Sequence, residues 1–98
     1  MEYKDNATPS EIVSGGLGTE VITLDADGLG QGSDQPCRVV QIWPEDTKSV
    51  RIGETAAAAV AGPILWNDGG YLEIPISNTN KLFFDGTAAD LVYLLWRT

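Results

Sequence analysis

The sequence predicts an all-β domain, a small sandwich or barrel, and two observations carry that prediction. Short stretches rich in Val, Ile, Tyr, Phe and Trp recur roughly every ten residues, as half-buried strands do. Turn residues separate them, for example Asp27-Gly28, Asn67-Asp68-Gly69-Gly70 and Asp85-Gly86. Gly supplies positive φ at such turns, and Asn and Asp form local hydrogen bonds there. With 98 residues the chain has room for one domain.

The predicted elements follow one another as an arm and then a strand-rich domain. Residues 1–18 are polar and Gly-rich, and we predict an extended N-terminal arm there, either frayed or lying on a neighbouring subunit. Residues 19–98 form the predicted antiparallel domain. Its seven short strands are expected at residues 19–25, 37–43, 48–53, 63–66, 71–76, 80–85 and 90–97.

One Ala-rich segment departs from the strand pattern. Residues 55–61 have high helix propensity but fill less than two turns between Gly53 and Gly62-Pro63. An isolated helix of that length is marginal. We therefore expect either a single turn of helix or an extended crossover whose small side chains allow close backbone packing.

Composition excludes several classes of function. The chain has no His and a single Cys, which removes the commonest general base, an internal disulfide and a Cys-ligated zinc site. The net charge of −8 argues against nucleic acid or an anionic membrane as partner. The N-terminus has neither a basic region nor an apolar core, so we expect no secretory signal and synthesis in a cytoplasm. We predict a protein that is not an enzyme and needs no cofactor or metal.

The stretch from Asp25 to Asp34 is acidic and rich in Gly. Its three carboxylates and the neighbouring carbonyl groups are ligands that calcium accepts, but the acidic spacing and closing Glu of an EF-hand loop are missing. The plainer interpretation is a solvated connection between strands.

The last predicted strand is apolar on both faces. Leu91, Tyr93 and Leu95 share one face, and the other carries Val92, Leu94 and Trp96. A surface strand of a small sandwich normally alternates apolar with polar residues. We favour a partner on the face that carries Trp96. The alternative is that the arm or the Ala-rich segment folds over the strand.

Five aromatic residues leave three roles open. Trp43, Trp66, Trp96, Tyr71 and Tyr93 are core residues first, because aromatic rings dominate core packing. They could also anchor a protein interface or provide a platform on which a sugar stacks.

The second half of the chain resembles a known family. The stretches concerned are Ser49–Gly53, Gly62–Leu65, Glu73–Gly86 and Asp90–Arg97. In order and spacing they are similar to small virion structural proteins of tailed bacteriophages, especially capsid decoration (cement) proteins. The resemblance covers residues 49–97.

The resemblance implies a fold, a location and a partner. The fold would be a β-sandwich of β-tulip or jelly-roll type. The protein would lie on the outer capsid surface of the virion, bind the major capsid protein, and form a dimer or trimer. The alternative is a tail or fibre module that binds a receptor or carbohydrate. The residues that we predict at interfaces are Tyr3, Ile12, Val13, Leu17, Val92, Leu94, Trp96 and Arg97.

Overall fold

A computed structural model describes residues 16–98 of the chain. Within them lie the strands β1 (Leu17–Thr23), β2 (Leu29–Gln31), β3 (Val39–Pro44), β4 (Ser49–Gly53), β5 (Ile64–Trp66), β6 (Leu72–Pro75), β7 (Phe83–Asp85) and β8 (Leu91–Arg97). A short helix α1 (Ala56–Val60) and a 3-10 turn at Thr79–Lys81 complete the described elements. The predicted all-β class is confirmed.

The strands form two antiparallel sheets of four strands each. The first sheet has the order β1-β8-β3-β6, and the second has the order β2-β7-β4-β5. In the first sheet, β8 pairs on one side with β1 and on the other with β3. The strand at the end of the chain, β8, is therefore a central strand, flanked by two neighbours.

One core lies between the inner faces of the two sheets. Because side chains alternate along a strand, every second residue reaches it. The first sheet contributes Ile22, Val40, Ile42, Val92 and Leu94; the second contributes Val50, Ile52 and Phe84. Leu24 and Leu82, which lie next to strand ends, complete the buried set.

The Ala-rich segment forms a short helix on the second sheet. The Thr55 hydroxyl caps it by accepting a hydrogen bond from Ala58 N at 3.0 Å. Gly53 lies directly beneath: a Cβ there would come within 2.3 Å of Ala59 N. Ala59 is fully buried in this contact. Of the two expected forms, the helical turn is confirmed, and it covers β4 rather than β8.

The connection between β2 and β3 is fixed by two residues of the 3-10 turn region. The Asn78 Oδ1 accepts hydrogen bonds from Gln35 N at 3.0 Å and Asn80 N at 2.9 Å, and its Nδ2 donates to Asp34 at 2.8 Å. The buried Thr79 hydroxyl donates to Ser33 O at 2.7 Å. These bonds hold the connection as it crosses from one sheet to the other.

Replacing Asn78 by Ala is expected to lower the free energy of unfolding by about 1–3 kcal/mol, because three hydrogen bonds are lost together, two of which join Asn78 to residues 34 and 35. Urea denaturation followed by tryptophan fluorescence measures the change. Asn67→Ala is the control, since Asn67 makes a single long-range side-chain bond, to Pro44 O. An equal or larger loss for Asn67→Ala would contradict the assignment.

The acidic stretch is built as a turn. Asp25 Oδ1 accepts hydrogen bonds from Asp27 N at 2.9 Å and Leu29 N at 3.0 Å, and Gly28 has a φ of +78°. The Asp34 carboxylate accepts a hydrogen bond from Asn78 Nδ2 at 2.8 Å. No cluster of three or more potential metal-ligating side chains occurs among residues 16–98.

Candidate protein-docking face

The face of the first sheet that points away from the core is the candidate site, and we call it the outer face. Strand alternation and the pairing register define its members. They are Leu17, Thr19, Val21 and Thr23 of β1; Leu91, Tyr93, Leu95 and Arg97 of β8; Val39, Gln41 and Trp43 of β3; and Glu73 and Pro75 of β6.

An apolar row crosses the middle of the outer face. Val21 pairs with Tyr93, and Tyr93 pairs with Trp43 on the next strand. The rings of Trp43 and Tyr93 stack with centroids 5.9 Å apart and an interplanar angle of 22°. Stacking is a favourable arrangement of two aromatic rings, and the pair presents aromatic surface to a partner.

The next row along the strands has one apolar residue, Leu95, among polar ones. Thr19 pairs with Leu95, Leu95 with Gln41, and Gln41 with Glu73. Gln41 Nε2 donates to Glu73 Oε1 at 3.0 Å. The outer face therefore has an apolar centre on β8 and a polar margin on β6, which is the usual anatomy of a protein interface.

Among residues 16–98, no helix or strand covers the outer face. Val21 is 56% exposed and Leu17 is 36% exposed, although both belong to a regular strand. The second sheet differs, because α1 packs on its outward side at Gly53. An apolar sheet face left open beside a covered one is typical of a surface that binds another protein.

Two of the predicted interface residues lie in the core instead. Val92 and Leu94 are each 1% exposed, so the prediction that they face outward is wrong. The reason is that β8 is apolar on both faces, and its sequence alone does not say which face meets the second sheet. The outward set on this strand is Leu91, Tyr93 and Leu95.

Trp96 also lies on the inward side of β8, where it packs against the core. Its ring occupies the space above Gly18, where an added Cβ would come within 2.1 Å of the ring. The prediction that the face of β8 carrying Trp96 meets a partner is therefore corrected, because that face points to the core and the absence of a side chain at Gly18 makes room there for the Trp96 ring.

The remaining predicted interface residues divide into two groups. Leu17 and Arg97 pair with each other on the outer face, at one end of the sheet, where both are exposed. Tyr3, Ile12 and Val13 lie outside the described residues, as does nearly all of the predicted arm.

A smaller apolar patch lies on the outward side of the second sheet. Ile64 and Trp66, two positions apart on the edge strand β5, are 44% and 59% exposed. The patch has fewer members than the outer face of the first sheet, and it provides an internal comparison for experiments on that face.

The single thiol lies in an environment that suppresses its reactivity. Cys37 Sγ donates to Ile76 O at 3.2 Å. Burial raises the pKa of the Cys37 thiol, so the thiolate fraction at neutral pH is lower than for a free cysteine. This arrangement suits a structural residue.

A cleft lies between residues of β4 and β6, at the side of the core. It has a volume of about 420 Å³. Its walls are mostly apolar, from Ile52, Ile74, Ile76 and Leu82, with Glu54 and Lys81 also among the lining residues. These residues form an apolar recess rather than a set of converging acids, bases or nucleophiles.

Comparison of the chain with known proteins identifies no relative. No protein-family model, no curated protein and no solved structure matches the chain. None of the helices in residues 16–98 is long and apolar enough to span a bilayer. The assignment of function thus depends on the residues and on the geometry of the outer face.

Proposed function

We propose that the chain is a non-enzymatic virion structural protein of a tailed bacteriophage, which binds the major capsid protein on the outside of the head and stabilises the lattice. The observation that carries the proposal is the open apolar outer face, centred on the stacked Trp43 and Tyr93. The resemblance of residues 49–97 to capsid decoration proteins supplies the class of partner.

The geometry supports a docking function in a specific way. The two antiparallel sheets are interpreted as a small β-sandwich of jelly-roll or β-tulip type, in which the second sheet and α1 support the first sheet from behind. The outer face then presents preformed contacts on β1, β8 and β3. Aromatic residues held rigid before binding contribute most of the energy at protein interfaces.

The charge of the chain agrees with an outward location. The chain has fourteen acidic and six basic residues, which gives a net charge of −8. A protein on the outside of a DNA-filled shell has no need to contact the genome, and acidic character keeps it soluble. On this proposal the protein is made in the cytoplasm of the bacterial host and assembles on heads as a dimer or trimer.

A second candidate function is a tail or fibre module that binds a receptor or carbohydrate. One observation favours it: an open cleft of about 340 Å³ lies at the end of β3, and both aromatic rings and amide groups line it. The cleft is lined by Gln41, Trp43, Asn67, Gly69, Gly70 and Tyr71. Sugars bind to such combinations, with rings against C–H groups and amides against hydroxyls.

The experiment on the first proposal measures binding to heads. Leu95→Glu places a charge at the centre of the outer face, away from the sheet edge, and is expected to weaken binding about 10–100-fold. The control is Trp66→Glu, which makes the same change in charge on the second sheet. Co-sedimentation with heads of the encoding phage, prepared without this protein, gives both affinities once thermal melting shows that the variants fold.

Two outcomes would count against the proposal. Equal binding by Leu95→Glu and the unmodified chain would remove the outer face as the docking surface. Binding of the unmodified chain to tails or fibres but not to heads, together with quenching of tryptophan fluorescence by simple sugars, would favour the second candidate function.

A further inference from the structure

Among residues 16–98, one edge of β1 pairs with no strand, and we call it the free edge. β1 is an edge of the first sheet, and all seven of its residues are in regular register with β8. It contains no Pro, no Lys and no bulge, three of the devices that protect exposed edges. Its single charged residue, Glu20, lies on the inner side of the sheet, where its carboxylate is bonded to Ser33. The other edge strands are different: β2 and β5 have three residues each, and β6 ends in Pro75.

The hydrogen bonds at the two ends of the β1–β8 ladder show which residues of β1 point their N–H and C=O groups toward β8 and which point them away. Leu24 N donates to Asp90 O at 2.9 Å, and Thr98 N donates to Gly16 O at 3.0 Å. Even-numbered positions therefore form the hydrogen-bonded pairs with β8. In an antiparallel strand the alternate residues point their N–H and C=O groups the other way. Leu17, Thr19, Val21 and Thr23 consequently present these groups at the free edge.

The same residues have a pattern that complements itself. Leu17 and Val21 lie two positions on either side of Thr19, and all three side chains project from the outer face. A two-fold axis through Thr19 would place Leu17 of one copy opposite Val21 of the other, and Val21 opposite Leu17. Each of these cross-strand pairs is apolar, and such pairs stabilise antiparallel sheets.

The residues of β1 that point to the inner side of the sheet are also compatible with this register. Glu20 would lie opposite Gly18 of the second copy, so that no like charges face each other. The Glu20 carboxylate already accepts hydrogen bonds from Ser33 N at 2.9 Å and Ser33 Oγ at 3.0 Å. A shift of the axis by one residue, to Glu20, would place the two Glu20 side chains opposite each other, which is destabilising.

We propose that two copies of this chain pair antiparallel through β1, with Thr19 opposite Thr19. The two first sheets then form one continuous sheet of eight strands. The occupant of the edge is a second copy because the apolar pattern is symmetric about Thr19, and self-complementarity is what a two-fold interface requires.

The pairing has a consequence for docking, which rests on the proposed function. The two-fold axis of an antiparallel strand pair is perpendicular to the sheet, so both outer faces point the same way. The dimer would present two copies of the Trp43–Tyr93 surface to one lattice, and two linked contacts bind more tightly than one.

Disulfide trapping tests the register directly. With Cys37 replaced by Ser, Thr19→Cys is expected to give a covalent dimer under mild oxidation, because hydrogen-bonded antiparallel partners have Cα atoms about 5.5 Å apart. Val21→Cys is the matched control. In the same register its Cα would be roughly 14 Å from Val21 of the second copy, too far for a disulfide. Non-reducing electrophoresis of the purified protein at low micromolar concentration measures both.

A second variant tests the pairing without a covalent bond. Thr19→Pro removes an N–H that points to the free edge, so it leaves the β1–β8 ladder intact and blocks pairing with a second copy. Sedimentation velocity is expected to show a dimer for the unmodified chain and a monomer for Thr19→Pro, with similar thermal melting.

The contradicting results are specific. A monomeric unmodified chain at concentrations up to about 100 times those used for trapping, or a disulfide for Val21→Cys and none for Thr19→Cys, would overturn the proposal. Neither assay contains heads, so a failure here is separate from a failure of the proposed docking function, which Leu95→Glu tests.

Discussion

Replacing Phe84 by Ala is expected to lower the free energy of unfolding by about 3–5 kcal/mol. Phe84 is fully buried on β7, where it lies opposite Ile52 of the neighbouring strand. Removing its ring leaves a cavity between two sheets that have limited freedom to close it. Small domains have only about 5–15 kcal/mol of total stability, so much of the variant would be unfolded at 37 °C.

Phe83→Ala is the matched control for this prediction. Phe83 is the same residue type one position earlier, on the opposite side of β7, and it is half-buried. Its loss should cost clearly less, because its ring is partly solvated before the substitution. Urea denaturation of the two variants side by side gives the comparison. If Phe83→Ala were the more damaging change, the placement of the core would be wrong.

The second large effect concerns two adjacent leucines on opposite faces of β8. Leu94→Ala is expected to lower the free energy of unfolding by about 2–5 kcal/mol, since Leu94 is 1% exposed in the core. Leu95→Ala removes the same atoms from the outer face, where the side chain is half-buried, and should cost about 1 kcal/mol or less.

The two leucine variants should also separate stability from docking. At a temperature where both are folded, Leu94→Ala should bind heads like the unmodified chain, and Leu95→Ala should bind more weakly. Thermal melting and co-sedimentation measure the two properties. A stability loss for Leu95→Ala as large as that for Leu94→Ala would show that the two faces of β8 have been exchanged.

Much of the fold could be predicted from local pattern. The strands from Val39, Ser49 and Leu91 were predictable because β-branched and aromatic residues are dense there and turn residues bound them. The sequence pattern did not predict β2, because this strand is three residues long and lies in a Gly-rich stretch typical of a loop. The predicted strand at 80–85 begins instead with a 3-10 turn, because the Asn78 side chain caps it.

The orientation of β8 could not be predicted from its own sequence. Both faces carry large apolar residues, so the alternation gives two solutions of equal quality. The neighbouring strand β3 carries better evidence for the orientation. Gln41 is the polar residue in its alternating pattern, so the residues that share its face are expected to point outward. That face carries Trp43, and through the β3–β8 register it also fixes Tyr93.

The candidate site depends on pairings between distant parts of the chain. Trp43 and Tyr93 are fifty residues apart, and only the antiparallel pairing of β3 with β8 brings their rings together. Loop closure and register are set by the whole core, which no local pattern encodes. The space for Trp96 above Gly18 is a tertiary feature of the same kind.

Hydroxyl-radical footprinting of the chain, free and bound to heads, tests the central claim most directly. Trp and Tyr are oxidised readily, and they lie on different surfaces: Trp43 and Tyr93 on the outer face, Trp66 on the second sheet. We expect binding to protect Trp43 and Tyr93 and to leave Trp66 unchanged. Protection of Trp66 with no change at Trp43 and Tyr93 would contradict the account, because the partner would then lie on the other side of the molecule.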